Sequence, residues 1–280
     1  MPLTRFVRHL LLVLFLLVIA WGTAAQAAEK EYQPYEGQPG RDVMWIPTCQ
    51  VLVDKMLDMA KVTAEDYVID LGSGDGRLVI TAAKRGARAL GIEYNERMVE
   101  YAKRMAAQEG VADKARFTKA DIFESDFSEA TVLTMFLLDE LNLQLRPQLL
   151  KLKPGTRIVS NTFEMGDWKP DETAVLKEKE CREYYTALLW IVPANVDGVW
   201  KLSRRGELTI RQTYQTFSGT LKSGKDMTLV YGKLNGDQIT FNVGNAVYTG
   251  RVAGGAIEGT VESGGSTAKW SASKASGKPQ

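Results

Sequence analysis

Between residues 67 and 163 the chain alternates short runs of branched apolar residues with stretches whose apolar positions recur every three or four residues. Val68, Ile69 and Leu71 predict a buried strand over Tyr67–Leu71, and Leu78, Val79, Ala82 and Ala83 then fall on one side of a helix near 77–85. The same alternation predicts strands at Arg88–Glu93, Ala115–Ala120, Thr131–Leu138 and Arg157–Phe163, connected by helices near 95–109 and 141–151. An amphipathic helix from Gln50 to Ala60 precedes them, with Val51, Leu52, Met56, Leu57 and Met59 as its apolar positions. Strand and helix in turn, with short connections, predict an α/β fold built on a doubly wound parallel sheet. Ala174–Lys179 and Tyr184–Val192 read as two further strands, an antiparallel pair closing that sheet. Ligands of such sheets bind at the carboxyl ends of the strands, where the strand order reverses.

From about residue 195 the pattern changes. Helical periodicity stops, Gly, Ser and Thr become frequent, and short alternating segments follow one another. They are Val199–Leu202, Leu208–Gln212, Thr228–Leu234, Gln238–Val243, Val247–Val252, Ile257–Val261 and Lys269–Ser273. Turns such as Asn235-Gly236-Asp237 separate them, which predicts a small antiparallel all-β domain over 195–275, either a barrel or a sandwich. Trp200, Tyr214, Tyr231, Tyr248 and Trp270 would form its core or line a cavity within it. The α/β domain then spans 43–194, and the polar, Pro- and Gly-containing residues 29–42 read as a linker.

The first 28 residues differ from both domains. Arg5, Arg8 and His9 precede an uncharged apolar run from Leu10 to Ala20, and Ala25-Gln26-Ala27 offers an A-x-A cleavage site. This is the pattern of a signal peptide, and it predicts an exported, periplasmic protein. Left uncleaved, the same run would hold the chain in a membrane facing the periplasm. The cytoplasmic origin of the cofactor inferred below is at odds with export.

Charge and composition narrow the chemistry. Without Arg5 and Arg8, the 35 Lys and Arg fall to 33 against 34 Asp and Glu, so no basic excess indicates a nucleic-acid partner. His9 is the single histidine, which excludes a Ser-His-Asp or Cys-His hydrolase and an imidazole-based metal site; no other metal-ligand pattern is read. Cys49 and Cys181 are too few for a disulfide framework. They form either one bridge in an oxidising compartment or two separate buried thiols.

The candidate site begins where the first strand ends. Asp70-Leu71-Gly72-Ser73-Gly74-Asp75-Gly76 places three glycines between strand and helix, so that backbone N–H groups approach a ligand closely at a helix N-terminus. The spacing is D-x-G-x-G-x-G; counted from Gly72, the third glycine of a dinucleotide fingerprint would fall at Arg77. This resembles the first motif of the class I, seven-stranded S-adenosyl-L-methionine-dependent methyltransferases. Glu93, ending the second strand, is placed to accept hydrogen bonds from ribose hydroxyls. Asp121 and Ile122, after the third, would accept from the adenine amino group and lie against its ring. As alternatives, Glu93 starts a helix capped by Asn95, and Asp121 forms an ordinary turn.

The motifs Trp45-Ile46-Pro47-Thr48, Asp70 to Arg77, Leu141 to Pro147 and Trp168-Lys169-Pro170 are similar to those of a bacterial branch of methyltransferases. That group also contains mitochondrial protein-lysine methyltransferases acting on membrane proteins. The resemblance covers roughly 43–193 and departs at Cys49 and Asp139, where proline is expected. It implies S-adenosyl-L-methionine as cofactor, Asp70, Gly72, Ser73, Gly74, Gly76, Glu93, Asp121 and Ile122 as its holders, and a protein lysine as acceptor, with a small amine as the alternative acceptor beside it. Asp139, Glu140 and Asn142, after the fourth strand, are the candidate catalytic residues, a carboxylate there positioning the amine and taking up its proton. The alternative is a helix N-terminus enriched in acids by its dipole. Trp45, Phe163 and Trp168 are candidates for an aromatic wall, and Thr48 and Tyr94 for further donor contacts. Two other readings stand beside this one: a non-catalytic envelope protein whose β domain does the binding, and a small-molecule methyltransferase.

Overall fold

The computed structural model describes residues 31–177, 181, 183–203 and 206–275. The leader assigned to residues 1–28 lies outside the described residues. None of the described helices is long and apolar enough to cross a membrane.

The first layer is a seven-stranded sheet. Its strands are β1 (Tyr67–Leu71), β2 (Arg88–Glu93), β3 (Ala115–Lys119), β4 (Val132–Met135), β5 (Arg157–Asn161), β6 (Glu172–Val175) and β7 (Thr186–Ile191). They lie in the order β3-β2-β1-β4-β5-β7-β6. β1 to β5 are mutually parallel, and β7 runs antiparallel to both β5 and β6. The order reverses between β1 and β4, both of which are buried along nearly their whole length. Among the described residues four helices connect or cover the sheet: α1 (Gln50–Met59), α2 (Arg77–Lys84), α3 (Glu96–Gln108) and α4 (Asp139–Leu149). Asn95 caps α3, its side chain accepting from the Arg97 N–H. Two apolar cores fill the faces, one around Leu52, Val79 and Ala102 and the other around Leu133, Leu149, Trp168 and Trp190.

Cys49, the N-cap residue of α1, is joined to Cys181 by a disulfide across 132 residues of sequence. The bridge, one of two arrangements open from the sequence, is thus the one formed. In the chain-entropy picture, closing a loop of this length removes about 5 kcal/mol of unfolded-state freedom.

The second layer is a closed antiparallel barrel. Its strands are β8 (Gly198–Leu202), β9 (Gly206–Thr213), β10 (Thr216–Ser223), β11 (Asp226–Asn235), β12 (Gln238–Val243), β13 (Ala246–Ala253), β14 (Ala256–Ser263) and β15 (Ser266–Lys274). β15 pairs back onto β8, so no edge is left open. β10 carries too little apolar alternation to be read from the sequence. Its inward positions are Phe217, Gly219 and Leu221, and Gly219 lets the chain approach the Thr209 carbonyl where any Cβ would collide. Side chains fill the interior: Phe217, Phe241, Tyr248 and Trp270 pack in edge and stacked contacts, and Trp200 and Leu208 belong to the same core. Tyr231 points outward and is exposed. Tyr214 leaves the barrel and stacks on Trp168 of the α/β layer at 5.8 Å between centroids. The Gln215 side chain donates to the Lys169 carbonyl, and the Ala194 N–H donates to the Gly236 carbonyl.

Candidate active site

A cavity opens at the carboxyl ends of β1, β2, β3, β4 and β5, where the strand order reverses. Its floor is the glycine turn. Gly72, Gly74 and Gly76 all take positive φ, which ordinary residues rarely adopt. The Gly72 and Ser73 N–H groups donate to the Ile92 carbonyl, fastening the turn to β2. A Cβ at Gly74 would collide with the indole of Trp45, so the turn and the Trp45-Ile46-Pro47-Thr48 segment need each other's shape. Arg77 locks the same corner, forming a forked pair with Asp75 and donating to the Thr48 carbonyl. Asp75 and Arg77 lie within the motif, but its spacing does not single out their pairing.

The acids gather as the sequence places them. Glu93 accepts from the Gly74 N–H at 3.0 Å and the Asn95 N–H at 2.8 Å, which orients its carboxylate over the turn. Asp121 accepts from the Phe123 N–H and from Arg41. The Arg41 hydrogen bond, followed by that of Phe123, holds its carboxyl below the usual range. Ile122 lines the cavity beside Asp121. Asp70 is 3% exposed and accepts from the Thr134 hydroxyl at 2.7 Å. Burial pushes its pKa up to about 7, against the Thr134 hydrogen bond and with a smaller contribution from neighbouring Asp75 and Glu93.

Arg41 belongs to a segment whose composition reads as linker. From Gly37 to Trp45 the chain instead turns back on itself, Gly37 N–H donating to the Trp45 carbonyl and Trp45 N–H to the Gln38 carbonyl. Its tip reaches over the cavity, where the Arg41 guanidinium lies 4.4 Å from the centre of the Tyr94 ring. Pro and Gly mark the turn but not the neighbour on which it closes.

The acceptor-side residues come out differently. None of Asp139, Glu140 and Asn142 lines the cavity; Leu137, Leu138 and Leu141 do. α4 begins at Asp139, so Leu138 and Leu141 take the inward side of its first turn. Asp139 is exposed and accepts from the Glu164 N–H at 2.7 Å, and Glu140 is exposed. Asn142 is fully buried and spends both amide hydrogens on the carbonyls of Phe163 and Glu164. These residues tie α4 to the loop after β5 rather than facing the cavity. Of the aromatic candidates, Trp45 and Phe163 line the cavity. Trp168 is fully buried in the core between Trp190 and Tyr214. Phe136 and Tyr184, which no motif marks, supply the missing rings.

The cavity fits S-adenosyl-L-methionine on its own terms. The Ser73 hydroxyl is buried over Gly91 with no hydrogen-bond partner among the described residues. The glycine cradle leaves space that side chains would fill, and separate carboxylates stand at the β1, β2 and β3 ends.

This fold and this site define a class I S-adenosylmethionine-dependent methyltransferase. Residues 70–172 match the ANTKMT methyltransferase domain. A protein-lysine N-methyltransferase of Saccharolobus islandicus is 44% identical over 153 residues, covering 54% of this chain and 94% of that protein. The chain therefore belongs to the family of S-adenosylmethionine-dependent protein-lysine methyltransferases. The adenine nucleotide translocase lysine N-methyltransferase of Mus musculus is 31% identical over 105 residues, covering 37% of this chain and 46% of that protein. Thus the chain spans a little under half the length of that relative. A structure from Salinibacter ruber, described as an RNA methyltransferase in complex with S-adenosyl-L-homocysteine, aligns with 45% identity and a TM-score of 0.51. It covers 54% of this chain and 96% of its own. The cofactor and the reaction class follow from these relations together with the fold.

Proposed function

We propose that this chain methylates a lysine amine of a protein outside the cytoplasm. The observation that carries the reading is the glycine turn with Glu93 and Asp121 at adjoining strand ends, open on its far side to an apolar, aromatic mouth. In this reading Glu93 accepts from the ribose hydroxyls, Asp121 from the adenine amino group, and Ile122 covers the ring. The backbone of Gly72 to Gly76 borders the methionine moiety, and Asp70 offsets its positive charge. The cofactor supplies an electrophilic methyl group on a sulfonium, whose departure needs no proton. What the chain adds is position: Leu138, Leu141, Phe163 and Tyr184 exclude water and align an amine for in-line attack. The amine must be neutral at the moment of attack, so its proton leaves to solvent before the methyl group is transferred.

Two observations support the compartment. The disulfide suits an oxidising environment, and the first 28 residues have the pattern of an export signal. The acceptor is proposed from the lysine-modifying relatives, with the Salinibacter protein making RNA the contrasting substrate.

The test is calorimetry with S-adenosylmethionine, followed by transfer of labelled methyl to envelope proteins, to free amines and to RNA, with the modified residue mapped by mass spectrometry. Micromolar donor binding with label on protein lysines is the expected result. Donor binding with label only on RNA or a small amine overturns the acceptor. Absence of donor binding overturns the enzyme and favours the non-catalytic envelope protein.

A further inference from the structure

Three aromatic rings close one side of the cavity mouth, each from a different element. Phe136 follows β4, Phe163 follows β5 and Tyr184 precedes β7. Their centroids stand 5.9 Å apart for Phe136 and Phe163, 5.1 Å for Phe136 and Tyr184, and 5.9 Å for Phe163 and Tyr184. The rings pack against one another, and a ring face that borders the cavity attracts a cation.

Tyr184 is the least self-sufficient of the three. Its φ of 55° is a left-handed conformation that a bulky residue keeps only when its surroundings hold it. On the carboxyl side the sheet does so: Leu176 N–H donates to the Tyr185 carbonyl, and Thr162 N–H donates to the Thr186 carbonyl. On the amino side the described anchor is Cys181, three residues away and bonded to Cys49 with 5.9 Å between Cα atoms. Cys49 directly follows Thr48, which lines the same cavity and accepts from the buried Asn161 side chain at 3.1 Å. The crosslink thus joins two wall segments of one cavity. On the donor side the Trp45–Thr48 segment keeps ties of its own, Trp45 against the glycine turn and the Thr48 carbonyl to Arg77, and β2 holds Glu93 through its pairing with β3.

We propose that the Cys49–Cys181 disulfide keeps Tyr184 against Phe136 and Phe163, completing an alkylammonium-binding wall at the acceptor end that exists only in the oxidised protein. The inference rests on the amine-methylation reading for its place in the reaction. Tyr184 is a positioning residue, acting through the shape of the wall. Reduction by dithiothreitol breaks the S–S bond, delivers two electrons and two protons to give two thiols, and leaves the reagent as its cyclic disulfide. The donor half should not register the change.

The experiment uses the full chain loaded with S-adenosylhomocysteine. Tetramethylammonium and butylammonium are titrated in before and after dithiothreitol, and thiol counting verifies reduction. Ammonium affinity should fall about fivefold on reduction, the scale of one cation–π contact, while S-adenosylhomocysteine affinity holds. Tyr184→Ala should show the weak binding even when oxidised, and Tyr184→Phe should restore it, since the hydroxyl has no hydrogen-bond partner among the described residues. The double variant Cys49→Ser, Cys181→Ser should match reduced protein and ignore dithiothreitol. Equal ammonium binding in both redox states, no binding in either, or parallel loss of S-adenosylhomocysteine each overturns the proposal. Redox-sensitive ammonium binding in a protein that methylates no lysine would leave the wall standing and remove the lysine reading instead.

Discussion

The two halves of this molecule treat buried polar groups in opposite ways. In the barrel both buried indoles are satisfied: Trp200 donates to the Val196 carbonyl, and Trp270 donates to the carbonyls of Thr249 and Thr260. In the α/β half the Ser73 hydroxyl, the Asn142 carbonyl and the Trp168 N–H are buried without partners among the described residues. Asp70 there is a carboxyl with one hydroxyl for company. Unmet polar groups cost stability; Ser73 and Asp70 line the cavity, where a ligand can return it, whereas Asn142 and Trp168 lie away from it. The barrel, closed on itself and filled with side chains, keeps none at its core among the described residues.

If the halves divide the labour in this way, damage to each should show in different measurements. The largest separation is expected from Trp270→Ala. Removing that ring from the packed interior should cost about 3–5 kcal/mol of barrel stability. Chemical denaturation should show it, while calorimetry finds donor affinity unchanged. A loss of donor binding would mean that the Tyr214–Trp168 stack carries barrel distortion into the site.

Gly74→Val is the reciprocal lesion. Its Cβ meets Trp45 at a backbone φ of 52°, so the turn must move. Donor affinity should drop by about a hundredfold or more, equivalent to ~3 kcal/mol, with the barrel's unfolding transition kept. Glu93→Ala should do less. It removes one charged acceptor and frees the Gly74 and Asn95 N–H groups, a loss of about 1.5–3 kcal/mol in donor binding. Unchanged calorimetric affinity in this variant would sink the ribose assignment.

The contrast also explains what could be read in advance. The α/β half was legible because strand alternation and the β1 turn are local: residues 67 to 76 contain strand, acid and glycines together, and the Glu93 and Asp121 positions are set by short loops after predicted strands. The acceptor side is not local. Whether Asp139 faces the cavity depends on the first turn of α4, and its carboxylate instead meets the Glu164 N–H, 25 residues further on. Phe136 lies inside a predicted strand and Tyr184 at the start of another, where an aromatic ring reads as core. Arg41 reaches Asp121 across 80 residues of sequence, which no periodicity shows. In the barrel, β10 is hidden because its inward positions include Gly219, which only the neighbouring Thr209 backbone explains.

The smallest expected effect concerns protons at Asp70. Its folded pKa of about 7 lies above the ordinary aspartate value of 3.8. The folded chain therefore binds a proton here that the unfolded chain has already released, and stability from this group falls as pH rises between about 4 and 7, then levels off. A donor carrying positive charge favours the carboxylate, so below pH 7 its binding must expel that proton. Donor affinity should weaken by up to about tenfold per pH unit below 7, and binding heats should vary with the ionisation enthalpy of the buffer. Asp70→Asn should flatten both pH dependences while keeping the Thr134 contact in reach of its amide oxygen. If the variant retains the full pH dependence, the proton resides elsewhere and Asp70 is only a structural partner of Thr134. The barrel supplies the control, since changes there should leave the proton count of donor binding as it was.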